Sequence, residues 1–124
     1  MSTLSTFVVE DSAAVRDDLI GALEELAPVE VVGIAEDERS AVDWLRHHRC
    51  DLVVIDVLLK SGSALDVLSS VNAMNQKTKF VVLSNCETPG MRRRCIDLGA
   101  DDVFDKANQL DDLITYCRRL ARSS

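Results

Sequence analysis

Short apolar runs alternate with stretches of helical periodicity along the whole chain. FVVE (7–10), VEVVGIA (29–35), DLVVID (51–56), KFVVLS (79–84) and DDVFD (101–105) predict five strands. Several are continuous and valine-rich, the pattern of parallel strands covered on both faces. The intervening segments 13–26, 38–48, 63–75, 89–98 and 109–121 predict helices. Thr88-Pro89 reads as an N-cap followed by proline at the first helical position, and Gly99 stands where a left-handed C-terminal cap is wanted. Asn108 is placed to cap the last helix. In that helix Leu110, Leu113, Ile114, Cys117, Leu120 and Ala121 form a stripe at helical spacing. Five β-α units in succession predict an α/β domain, an open parallel sheet with helices on both faces. No linker, repeat or low-complexity segment interrupts it, so residues 1–124 are expected to form one domain with a core over about 5–121 and no output domain.

Composition narrows the partners more than the fold. The 124 residues carry a net charge of −7, which argues against direct nucleic-acid binding. No apolar run approaches the roughly 20 residues that span a bilayer. MSTLST lacks the basic region and apolar core of a secretion signal, so a cytoplasmic location is expected. Cys50, Cys86, Cys95 and Cys117 include no C-x-x-C pair, which leaves buried free thiols as the better reading than zinc or redox chemistry. His47 and His48 close the second helix against its carbonyls, and Trp44 reads as packing. The arginines at 92–94 and Arg118, Arg119 and Arg122 are divided between a solvated surface and a partner-binding face.

Chemistry-bearing residues fall at the strand ends, where loops converge in such a sheet. Strand one ends in Glu10-Asp11, strand three in Asp56 and strand four in Ser84, while Lys106 follows strand five. If strands one, three, four and five are neighbours, these side chains share a pocket. Two like charges about 4 Å apart cost on the order of 4 kcal/mol at an effective dielectric of about 20. That is a large fraction of a domain's net stability of about 5–15 kcal/mol. Lys106 offsets part of the repulsion. A divalent cation offsets more, and oxygen ligands with retained waters suit Mg²⁺.

The set of Glu10-Asp11-Ser12, Asp56, Ser84, Phe104 and Lys106, each at the end of its strand, resembles the receiver domain of two-component response regulators over about residues 5–121. The resemblance implies a three-layer (βα)5 flavodoxin-like receiver fold with strand order 2-1-3-4-5, of the stand-alone single-domain type. It implies that Asp56 takes a phosphoryl group from a histidine kinase or histidine phosphotransfer protein. Asp11, Asp56 and the Leu58 carbonyl would then bind Mg²⁺ directly, with Glu10 acting mainly through water. Lys106 would contact the acyl phosphate and Ser84 would hydrogen-bond it. Phe104 would be the aromatic switch of the face formed by the fourth helix, fifth strand and fifth helix, turning into space that Ser84 vacates. The output would be control of a downstream protein, with homodimerisation an open alternative. Such a protein catalyses its own phosphorylation and dephosphorylation and transforms no external small molecule.

Lys60, Ala64, Asn85 and Ala107 depart from the usual residues at their positions, though none replaces a reacting group. They keep open a receiver-like interaction module that works without phosphate. An aspartate-nucleophile phosphohydrolase would carry Asp-x-Asp, but here Leu58 stands where the second acid belongs. A flavodoxin-like cofactor binder would want a phosphate loop after strand one, where two acids stand instead.

Overall fold

The computed structural model describes residues 3–57, 59, 61–84, 89–106 and 108–123. Five strands, β1 (Leu4–Val9), β2 (Val29–Ala35), β3 (Leu52–Asp56), β4 (Lys79–Ser84) and β5 (Asp102–Asp105), alternate with five helices. The helices are α1 (Ala13–Leu26), α2 (Glu38–His47), α3 (Ala64–Ser70), α4 (Pro89–Asp97) and α5 (Leu110–Ser123). All neighbouring strands run parallel, in the order β2-β1-β3-β4-β5.

Alternation along each strand divides the core into two layers. Phe7, Val53, Ile55, Val82 and Val103 face Ala41 and Val42 of α2, Val67 and Leu68 of α3, and Cys95 of α4. Val8, Leu52, Val54, Val81, Leu83 and Phe104 face Leu19 and Leu23 of α1 and the α5 stripe of Leu113, Ile114, Cys117 and Ala121. The apolar runs are continuous because both faces of β3 and β4 are covered. On edge strand β2 the register with β1 steps from Thr6–Val31 to Phe7–Gly33. Gly33 is required there by space. A Cβ would lie 2.6 Å from the Trp44 ring, which stacks on Phe7 at 4.1 Å and on His48 at 4.6 Å.

The structure moves some predicted boundaries. β1 begins at Leu4 rather than residue 7, because Thr6 is fully buried and its hydroxyl donates to the Leu4 carbonyl. The helix expected over 63–75 stops at Ser70. Asn72 takes a left-handed conformation (φ 54°), and Ala73–Asn75 form a separate 3₁₀ turn. Gly99 (φ +111°) lies against that turn, where a Cβ would collide with the Met74 amide nitrogen. Asn108 does not open α5 as expected. That helix starts at Leu110 with the Leu113 N–H bonded to the Gln109 carbonyl, while the Asn108 amide donates to Asp105. Thr88 lies outside the described residues, as do Lys60, Asn85, Cys86 and Ala107. Pro89 opens α4 as predicted. Among the described residues no helix is long and apolar enough to cross a membrane.

Candidate functional site

Glu10 follows β1 directly, and its N–H still donates to the Ala35 carbonyl of β2 (3.0 Å). The chain then turns into α1, whose N-cap Ser12 accepts from the Val15 N–H. Glu10 is 2% exposed, and both carboxylate oxygens are held: Oε1 accepts from Lys106 Nζ at 2.5 Å, and Oε2 from the Ser12 N–H at 3.1 Å. Asp11, one residue on, is exposed. Asp56, the last residue of β3, is buried and accepts from Lys106 Nζ at 3.0 Å. One oxygen from each of Glu10, Asp11 and Asp56 lies within 4.8 Å of the others. The strand ends thus bring together the acids that the sequence left scattered over 46 positions.

Lys106 is aimed by the sheet. Its N–H continues the β4–β5 ladder onto the Ser84 carbonyl (2.9 Å), and the Gln109 side chain clamps the preceding Asp105 N–H at 2.5 Å. Burial alone would lower the Lys106 pKa, but hydrogen bonds and charges from Glu10 and Asp56 outweigh it and raise the pKa above its ordinary value. The ammonium therefore stays charged. Asp11 is pushed up, first by the hydrogen bond it shares with Glu10, then by burial and by the Glu10 charge. One ammonium against three carboxylates leaves an excess of about two negative charges, and hard oxygen donors in that arrangement fit a small divalent cation.

Ser84 ends β4, is 2% exposed, and its carbonyl accepts the Lys106 N–H. Leu58, expected to lend its carbonyl, lies outside the described residues. Phe104 is not brought into the pocket. It pairs in register with Leu83, and both belong to the layer against α1 and α5. Ser84, next along β4, faces the other side of the sheet. Phe104 instead meets Tyr116 of α5 edge-on, with centroids 5.9 Å apart. Ala64 is fully buried at the start of α3, and its N–H donates to the Val57 carbonyl behind Asp56.

His47 and His48 behave as expected, Nδ1 donating to the Asp43 and Trp44 carbonyls. Two of the arginines left between a solvated surface and a partner-binding face make bonds to the backbone: Arg92 donates to the Val103 carbonyl and to Asp102, and the exposed Arg118 to the Leu26 carbonyl. Sequence reasoning passed over Arg16, which is 8% exposed and donates from Nη1 to the Glu10 carbonyl at 3.0 Å. The available signal was a basic residue in the apolar stripe that continues through Leu19 and Leu23. An open groove of about 970 Å³ lies at the opposite end of the sheet, lined in part by Arg46, His48, Arg49, Asp51 and Lys77, and it includes none of the three acids of the pocket.

A profile of the response regulator receiver domain matches residues 6–118. The chain is 31% identical over 115 residues to the response regulator MprA of Mycolicibacterium vanbaalenii, covering 93% of this chain and 49% of that protein. It is 28% identical over 112 residues to a protein-glutamate methylesterase/protein-glutamine glutaminase of Methanospirillum hungatei, covering 89% and 33%. The chain therefore spans half or less of the length of these curated relatives. Among solved structures, the Francisella response regulator 1452 receiver domain superposes with a TM-score of 0.85 at 20% identity, covering 97% of this chain and 98% of that one. The response regulator domain of Thermotoga maritima CheB gives 0.84 at 20% identity, covering 97% of each. At that identity these two likenesses establish the fold.

Proposed function

The chain belongs to the response regulator receiver domain family, and on that premise we propose that it is a phospho-aspartate switch. Asp56 accepts a phosphoryl group from a histidine kinase or histidine phosphotransfer protein, and the change is read by a protein partner on the face formed by α4, β5 and α5. The observation that carries this reading is the Lys106 ammonium, held between Asp56 and Glu10 inside a trio of carboxylates. Receiver domains generally bind Mg²⁺ at an acidic pocket. Here Asp11 and Asp56 would ligate it directly and Glu10 through water. When bound, the ion neutralises charge on the phosphoryl oxygens.

An Asp56 carboxylate oxygen attacks phosphorus while the P–N bond to the donor imidazole breaks, and the imidazole leaves with that bond's electrons. The task is positioning and charge neutralisation. Lys106 supplies both, because it already holds Asp56 and stays protonated. The phosphoryl group replaces one carboxylate charge with about −2, which draws the ammonium from Glu10 toward it, and the Ser84 hydroxyl donates to a phosphoryl oxygen. Since Lys106 is tied to β4 by its backbone, its movement shifts β5. Phe104, two residues back, passes that shift to Tyr116 and α5. Such a protein acts in the cytoplasm.

Acetyl phosphate with MgCl₂ tests the reading by intact mass. Wild type should gain one phosphoryl group, and Asp56→Ala or added EDTA should prevent it. Beryllofluoride with Mg²⁺ should move the amide resonances of Ser84, Lys106 and α5, and gel filtration in its presence reports whether a second copy is the reader of that face. An unmodified wild type with unmoved resonances would leave the phosphate-independent interaction module as the function.

A further inference from the structure

We propose that Arg16 is a positioning residue of the acidic pocket: its guanidinium fixes the Glu10 carbonyl, and so the turn that aims the Glu10 and Asp11 carboxylates at Asp56. The inference rests on the reading of that pocket as a divalent-cation site. It begins from a cost. Arg16 occupies the α1 stripe with Leu19 and Leu23, where a leucine or methionine would pack without penalty. Arginine instead leaves a charged residue only 8% exposed, with Nε buried and no hydrogen-bond partner among the described residues. An unsatisfied interior donor is rare and calls for a compensating role.

That role is visible in the hydrogen bonds of the turn. The Glu10 carbonyl receives a hydrogen bond from the start of α1, where several backbone donors are engaged elsewhere. The Ser12 N–H serves Glu10 Oε2, the Val15 N–H serves the Ser12 hydroxyl, and the Arg16 N–H serves the Ser12 carbonyl. The donor that reaches the Glu10 carbonyl is a side chain, Arg16 Nη1 at 3.0 Å. The same nitrogen lies 4.0 Å from Glu36 Oε1, just beyond β2. Arg16 thus links the start of α1 to the ends of β1 and β2. With its N–H on Ala35 and its carbonyl on Arg16, the Glu10 peptide is fixed on both sides, and Asp11 inherits that orientation.

Positioning and simple electrostatics predict opposite signs. A guanidinium beside the pocket repels an incoming cation, so removing its charge alone would tighten metal binding. Removing a group that orients ligands loosens binding, by about 10- to 100-fold for the partners that orient metal ligands. The test is calorimetric titration of wild type, Arg16→Met, Arg16→Gln and Arg16→Lys with MgCl₂, with Mn²⁺ binding followed by electron paramagnetic resonance and folding by circular dichroism. Arg16→Met should bind Mg²⁺ about tenfold more weakly while remaining folded. Arg16→Gln, whose amide nitrogen ends about two atoms short of the guanidinium and so falls short of the Glu10 carbonyl, should show the same loosening and carries the test if the methionine variant does not fold. Arg16→Lys, which can still donate to the Glu10 carbonyl, should recover most of the affinity.

Unchanged or tightened binding in the neutral variants overturns the proposal, as does a lysine variant no better than methionine. A wild type that shows no saturable Mg²⁺ binding removes the proposal together with the cation-site reading. That outcome is distinct, because a wild type that saturates beside equal variants removes the role of Arg16 alone.

Discussion

Lys106 is the residue on which the pocket's charge balance turns. Its ammonium is bonded to two buried carboxylates, and its own side chain is 16% exposed. Replacing Lys106 with methionine leaves Glu10 and Asp56 facing each other without a counter-charge, a change that costs about 3 kcal/mol in comparable buried pairs. Urea unfolding of metal-free Lys106→Met should show a loss of that order, partly restored by MgCl₂. An unaltered midpoint would mean the ion pair is not holding the pocket together. Asp11 behaves oppositely. Its raised pKa means that the folded state holds the proton more tightly than the unfolded chain, so ionisation of Asp11 works against folding. That penalty is fully present above the raised pKa and disappears as pH falls below its ordinary value. Metal-free Asp11→Asn should therefore melt higher than wild type at neutral pH, by a small amount because the side chain is exposed. The difference should narrow as the solution is acidified. The same variant should lose the rise in melting temperature that Mg²⁺ gives wild type.

The α3–β4 connection shows what an element owes to a distant residue. Gly99 combines a positive φ with backbone contact to Ala73 and Met74, so Gly99→Ala should destabilise the domain by about 2 kcal/mol or more from conformation and collision together. A thermal melt unchanged from wild type would show that the 3₁₀ turn yields freely. That contact also explains one limit of the sequence. Val67, Leu68 and Val71 continue a helical spacing toward Met74, and the break at Asn72 is imposed by a glycine 27 positions later. The polar Ser5 and Thr6 hid the start of β1 for a related reason, since the burial of Thr6 depends on neighbours no local window contains. By contrast the covered strands β3 and β4, the proline opening α4 and the left-handed Gly99 were legible, because each is a local chemical constraint. Glu10, Asp11, Asp56 and Lys106 were legible as a set, because a parallel sheet places its strand ends together. Arg16 looked like an interruption in an apolar stripe. The side of the sheet taken by Phe104 depends on register with Leu83, which only the folded sheet reveals.

At the scale of the whole molecule, the acidic pocket and the groove lie at opposite ends of the sheet. The acids of the pocket lie at one end, and Arg46, Arg49, Lys77 and Lys79 line the groove at the other together with Asp51, in a chain whose net charge is −7. On the proposed function a phosphoryl donor would approach the acidic end, where the net charge offers it no long-range attraction, so apolar contact would support its docking. The surface supplies it. Val15 on α1 and Leu110 at the start of α5 are 41% and 37% exposed, and they flank a cleft of about 160 Å³ that also contains Leu19 and Lys106. A donor helix pressed onto these two side chains would stand beside Lys106, in a cleft that Asp18 and Asp105 also line. Acetyl phosphate needs no such footing. Replacing Val15 and Leu110 together with serine should therefore slow transfer from a cognate phosphohistidine protein by about tenfold or more, the effect of losing well-packed interface contacts. Phosphorylation by acetyl phosphate should stay close to the wild-type rate. Stopped-flow or quench measurements with both donors decide it, since equal slowing by the two would place these residues in the chemistry of the pocket instead of in docking.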